Sequence, residues 1–157
     1  MGYVISLNNA KGGVGKTTST VNIAAGLAKL GRCVLAVDFD PQGGLTVASG
    51  HHLATLDRSM YHVIWEEAGI REVVRPTKLG YDLAPTNIDL VSAEFLLMER
   101  QPAEARERAL VRALAPVRDE YDYILIDNQP TLGLLVMNSI AAADWLIVTI
   151  ACEFMAR

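Results

Sequence analysis

The sequence is poor in the residues that build metal centres and disulfide frameworks, with two cysteines and three histidines in 157 residues. His51, His52 and His62 lack cysteine or carboxylate partners at ligand spacing, so no metal site is expected from them. Cys33 and Cys152 lie in apolar runs and are expected as buried free thiols in a reducing cytoplasm, with no disulfide between them. An excess of positive charge is also missing: 14 Lys and Arg face 18 Asp and Glu, a net charge of −4. That balance gives no support for a general nucleic-acid-binding surface, while leaving room for a local patch. No apolar stretch reaches the roughly 18 residues of a membrane span, and Met1-Gly2-Tyr3 lacks the basic start of a signal peptide. The expectation is a cytoplasmic protein with no membrane partner. Internal repeats, low-complexity tracts and linkers are absent as well.

What is present reads as globular. Hydrophobic residues make up 51% and charged residues 20%, and the length suits one domain over 1–157 with a real core. Four short runs of Val, Ile and Leu are expected as strands: Tyr3–Leu7, Cys33–Val37, Tyr123–Ile126 and Trp145–Ile150. They do not alternate with polar residues, which suits parallel strands covered on both faces. Between the first two, a helix is expected from Gly15 to Leu30, with Val21, Ala24, Ala25 and Ala28 on one small-residue face and Gly31 closing it. The fold class is therefore α/β, mainly parallel, with helices on both faces. The middle is less legible: a helix over Ser59 to Ala68, a weak strand at Tyr81–Pro85, and helical spacing in Ala93, Leu96, Leu97 and again in Leu110, Leu114. Glu104 and Arg108 read as a solvated helix pair. Trp65 and Trp145 read as core or interface residues, and Met98 and Met137 as core filler.

Directly after the first strand stands Lys11-Gly12-Gly13-Val14-Gly15-Lys16-Thr17-Thr18. A glycine-rich loop between strand and helix aims successive backbone N–H groups into one concave anion site, and the helix dipole adds positive potential there. Lys16 supplies a mobile charge for phosphate oxygens, and the Thr17 hydroxyl is placed to ligate Mg²⁺. The usual pattern would have glycine at position 10, where Ala10 stands, and a second lysine, Lys11, opens the loop. Asp38-Phe39-Asp40-Pro41-Gln42-Gly43-Gly44 follows the second strand. Two aspartates at i, i+2 there can approach a metal–phosphate site, since ligands of parallel sheets collect at the carboxyl ends of strands. Alone, the segment is no more than a turn. The third strand ends at Asp127, the Walker B arrangement for holding Mg²⁺. The joint order of the three pieces carries more weight than any one.

Lys11–Thr18, Asp38–Gly43, Asp127–Gly133 and Asn138, with Asn87-Ile88-Asp89-Leu90, Glu94 and Ala142-Ala143-Asp144, resemble the ParA/Soj family of chromosome- and plasmid-partition ATPases, a deviant Walker A group that includes MinD. The resemblance implies a P-loop NTPase fold and ATP with Mg²⁺ as cofactors. It implies that Gly12, Gly13, Val14, Gly15, Lys16, Thr17 and Thr18 bind nucleotide, and that Thr17, Asp38 and Asp127 form the Mg²⁺ shell. Asp40 stands where the family positions the attacking water. Lys11 is the family's signature lysine, reaching the nucleotide of a partner subunit in an ATP-sandwich homodimer. A ParB-like activator, non-specific DNA and association with the nucleoid are implied for the intact family. Gln129 replaces the first of two prolines usual after the Walker B aspartate, Gly44 replaces a small polar residue, and Thr149 replaces a proline.

Family members are longer, continuing past a segment resembling Cys152–Ala156 with further strands that carry adenine contacts and a basic patch. Two functions from different classes are thus in view: a Mg²⁺-dependent partition ATPase, or a truncated nucleotide-binding remnant without productive hydrolysis or DNA binding. A small-molecule kinase or ligase on the same loop is a third, disfavoured by Lys11 together with Asp-Pro-Gln-Gly.

Overall fold

The computed structural model describes residues 2–100 and 102–152. In chain order its elements are β1 (Tyr3–Asn8), α1 (Lys16–Lys29), β2 (Val34–Phe39), α2 (Gly44–Ala48), α3 (Met60–Ile64), α4 (Ile70–Val73), β3 (Arg75–Pro76) and β4 (Asp82–Ala84). Then come α5 (Leu90–Arg100), α6 (Ala103–Arg106), α7 (Ala109–Leu114), β5 (Tyr123–Asn128), α8 (Leu134–Ala142) and β6 (Trp145–Val148). The strands form one sheet in the order β3-β4-β2-β5-β1-β6. Every pairing is parallel except the short antiparallel β3–β4 contact.

Strands β1, β2, β4 and β5 feed two cores, which is why the apolar runs of β1, β2 and β5 do not alternate, whereas β6 is mostly exposed. On one face Val4, Leu35, Val37, Phe39, Ile124 and Ile126 pack with residues of α3, α4, α5, α7 and α8. On the other, Val34, Ala36, Leu83 and Leu125 meet Ala24 of α1 and Leu45 of α2. All six residues of β2 are buried; each large apolar side chain so enclosed contributes about 1.5–3 kcal/mol before entropy is charged. The expected small-residue face of α1 is there, with Val21, Ala25 and Ala28 packed around Ala24. Gly31, at φ 77°, ends the helix by donating its N–H to the Ala28 carbonyl. Asn128 fixes the register of β5 against β1, donating to the Ser6 hydroxyl and the Leu7 carbonyl, both at 2.9 Å.

Several expectations need correction. Cys33 and Cys152 are exposed, because each sits just outside the strand its apolar run suggested. Met98 and Met137 are also exposed, at 54% and 45%, since they fall on the outer faces of α5 and α8. The helix expected over Ser59 to Ala68 covers only Met60–Ile64, and Glu66 in the left-handed region (φ 63°) turns the chain away. Arg108 lies in the break between α6 and α7, so it is not one helical turn from position 104; the Glu104 side chain and positions 153–156 of the end segment lie outside the described residues. Trp65 is half-buried and stacked on Tyr61, whereas Trp145 is 63% exposed on β6, a sheet edge among the described residues. The helices α2, α4 and α8 and the strand β3 were not legible in advance. No helix among the described residues is long and apolar enough to cross a membrane.

Candidate phosphate-binding site

The loop between β1 and α1 is held from both sides. Asn9 forms an Asx-type turn, its Oδ1 accepting the Lys11 N–H at 2.7 Å, while its Nδ2 donates to the Thr149 carbonyl at 2.6 Å. Gly13 (φ 73°) and Gly15 (φ 86°) occupy the left-handed region, where a Cβ is strained. Beyond the adjoining residues, no described atom lies within 4 Å of where a Cβ at Gly12, Gly13 or Gly15 would stand, so the backbone is open on that side. The space beside it is a cavity of about 270 Å³ lined by Gly12, Gly13, Lys16, Thr17, Asp40 and Pro130, among others. Lys16, at the first position of α1, is 7% exposed. Its ammonium donates to the carbonyls of Asn9 (3.1 Å) and Lys11 (3.4 Å), folded over the loop it follows.

Strand register sets the carboxylates. Asp38 of β2 and Asp127 of β5 are direct neighbours, and Asp127 also pairs with Leu7 of β1, one residue short of that strand's end. Both aspartates face the side of the sheet that α1 and α2 cover. Asp127 accepts the Thr17 hydroxyl at 2.6 Å and the Thr20 hydroxyl at 3.4 Å. Burial pushes its carboxyl up to about 6, opposed by the Thr17 bond, while the nearby Asp40 charge adds to the rise and Lys16 works against it. Thr17 and Asp127 thus form a hard-oxygen pair beside the open backbone of the loop. That donor chemistry fits Mg²⁺, and the cavity with its amides and Lys16 fits a phosphate chain.

Asp38, also expected in the metal shell, does not line the cavity. It has no exposed surface. One oxygen accepts both the N–H (2.7 Å) and the hydroxyl (2.6 Å) of Thr46, and the other accepts the Asp40 N–H at 3.3 Å. With its oxygens committed to α2 and to the turn, it supports the site by holding Asp40 and α2 in place. Burial is also the main reason its carboxyl rises to about 7, partly offset by the Thr46 bonds. Asp40 is half-buried and borders the cavity, its Oδ1 accepting the Gln42 N–H at 2.9 Å. Lys11 lies at the rim, lining a second cavity of about 690 Å³ with Gln129, Leu132, Val136, Val148 and Ile150. Val14 and Thr18 complete the loop, Thr18 lining the smaller cavity. Asn9, Thr20 and Thr46 escaped the sequence reading. For Thr20 the signal was available: it stands one turn after Lys16, on the face that α1 turns to β5.

A glycine loop capping a buried lysine, beside a strand-end aspartate bonded to the loop's threonine, defines a P-loop NTPase. The AAA domain family model matches residues 2–157. An uncharacterized protein of Mycobacterium tuberculosis is 47% identical over 153 residues, covering 96% of this chain and 47% of its own length. The sporulation initiation inhibitor protein Soj of Bacillus subtilis is 41% identical over 157 residues, covering 99% of this chain and 61% of its own. Among solved structures, cobyrinic acid a,c-diamide synthase from Mycobacterium smegmatis, with bound ATP analog and magnesium, superposes with a TM-score of 0.96 at 41% identity. That match covers all of this chain and 63% of the other. This chain belongs to the ParA/Soj family of P-loop ATPases. It spans about half to three-fifths of the length of the curated relatives it matches.

Proposed function

We propose that this chain is the nucleotide-binding part of a Mg²⁺-dependent partition ATPase of ParA/Soj type, cytoplasmic, working as an ATP-dependent homodimer. The observation that carries the reading is the convergence of Lys16, Thr17 and Asp40 on one cavity, with Asp127 bonded to Thr17. In this reading the Gly12–Gly15 amides and Lys16 hold the β- and γ-phosphates. Thr17 and Asp127 hold Mg²⁺, which neutralises charge on the phosphate oxygens when bound. Asp40 orients the water whose oxygen bonds to the γ-phosphorus as the bond to the β-phosphate oxygen breaks and ADP leaves. Catalysis of this kind is positioning plus electrostatics. Lys11, at the rim, reaches the nucleotide of the second copy, and a ParB-like activator and non-specific DNA are the partners of the whole protein.

The test is a Mg²⁺-ATP titration with Lys16→Ala as control. Saturable binding that weakens about 100-fold or more in the variant, as loss of a charge-assisted phosphate contact predicts, supports the reading. Equal affinity in both proteins, or no binding by a folded wild-type chain, refutes it; binding without hydrolysis favours the remnant.

A second reading rests on the name borne by the M. smegmatis structure, that of an amide-forming ligase. Under it, ATP turnover needs a carboxylic acid and an ammonia donor; turnover with neither present supports the partition ATPase. Lys11 and the Asp38–Gly43 segment favour the latter.

A further inference from the structure

The five residues between β5 and α8, Gln129 to Gly133, join the Mg²⁺-ligand candidate Asp127 to a helix, and Pro130 among them borders the phosphate cavity. Among the described residues, this segment has an anchor from outside itself that the proposed chemistry does not use. Glu94 of α5 reaches across and accepts the Leu135 N–H at 3.1 Å, with the Gln129 side-chain amide at 3.4 Å from the same oxygen. Gly133, the residue before α8, offers no side chain to cap that helix. A Cβ there would collide with the Glu94 carboxylate. Glycine is thus explained at 133 by close approach, its φ of −102° being open to any residue. The post that carries Glu94 is rigid: Leu90, Ala93 and Leu97 of α5 are buried in the sheet's core. Just before α5, the Thr86 N–H donates to the Thr46 hydroxyl that also serves Asp38.

We propose that Glu94 is a positioning residue for ATP hydrolysis, fixing the Gln129–Leu135 segment relative to the phosphate loop by taking both ends of that segment on one carboxylate oxygen. This inference rests on the ATPase reading above. Glu94 does not line the phosphate cavity; its effect passes through the segment that follows Asp127. The physical reason is geometric. Two hydrogen bonds to a helix anchored by its buried face restrict the freedom of five loop residues, and small misplacements at a phosphoryl-transfer site are costly in rate.

The experiment compares Glu94→Ala, Glu94→Gln, Gly133→Ala and the Glu94→Ala/Gly133→Ala double variant. Two readouts are used: amide hydrogen exchange across Gln129–Leu135 without nucleotide, and kcat and KM for ATP. Glu94→Ala is expected to speed exchange in that segment by about tenfold while β2 stays protected. It should lower kcat by about tenfold or more with KM changed by less than about threefold. Glu94→Gln keeps an acceptor oxygen for Leu135 and should stay within about threefold of wild type. Gly133→Ala should reproduce the Glu94→Ala phenotype and add nothing to it in the double variant, because the collision disappears with the carboxylate. Unchanged exchange in Glu94→Ala, a slowed kcat in equal measure with raised exchange everywhere, or additive effects of the two substitutions would each overturn the proposal. A wild-type chain that does not turn over ATP sinks the ATPase reading instead, and the exchange data still decide whether Glu94 fixes the segment.

Discussion

Asp38 and Asp40 stand two residues apart yet occupy opposite environments. Asp38 is sealed between β2 and α2 with its oxygens engaged by Thr46 and Asp40, whereas Asp40 emerges at the cavity where Lys16 and Thr17 also arrive. Only the second is free of the structural duty that would couple its loss to unfolding. Asp40→Ala is therefore expected to keep ATP affinity within a few-fold and to slow hydrolysis by about 100-fold, the range of a positioned group acting on the attacking water. Single-turnover and equilibrium binding measurements separate the two effects, and wild-type turnover in the variant would exclude Asp40 from the reaction. The Asp-x-Asp spacing was legible in the sequence; the division of labour was not. Spacing says that two carboxylates lie near a strand end, but which of them finds donors depends on α2, whose Thr46 lies eight residues from Asp38 along the chain.

The junction of β2 with α2, and the Asp127 contact with α1, make these elements sensitive to pH. Asp38 at about 7 and Asp127 at about 6 both hold protons more tightly when folded than at the ordinary 3.8. Between about pH 4 and pH 7 the folded chain therefore binds more protons than the unfolded one, and stability falls as pH rises through that window. The nucleotide-free protein should melt at progressively lower temperature from about pH 4 to pH 7, and Asp38→Asn should flatten that slope. A melting temperature that climbs over the same range would contradict the buried, proton-holding state of these carboxylates. At this scale the four apolar runs marked four strands; for β1, β2 and β5 the reason is cover on both faces, whereas β6 is apolar yet exposed at the sheet edge. Their ends were less legible: β5 runs on through Asp127 and Asn128, polar residues that are buried and bonded inside the sheet. The short helices α2 and α4 left no pattern because four or five residues span little more than one turn, too few for periodicity to register.

For the whole molecule, Lys11 is where the proposed homodimer would join; it lines the larger cavity beside the phosphate loop. Lys11→Ala should leave ATP binding to the monomer within a few-fold while reducing ATP-dependent dimerisation, read by sedimentation with and without Mg²⁺-ATP. Equal dimerisation of variant and wild type would remove Lys11 from that role. The sheet order has one more consequence. Strand β1, which carries the phosphate loop, lies between β5 and β6 and pairs with no other strand. It leaves the ribosome well before either neighbour, since those begin at residues 123 and 145. A nascent chain therefore carries its most nucleotide-ready stretch for over a hundred residues without the strands that give it shape. The apolar strand thus waits for non-local partners, the kind of pairing that is slow to form.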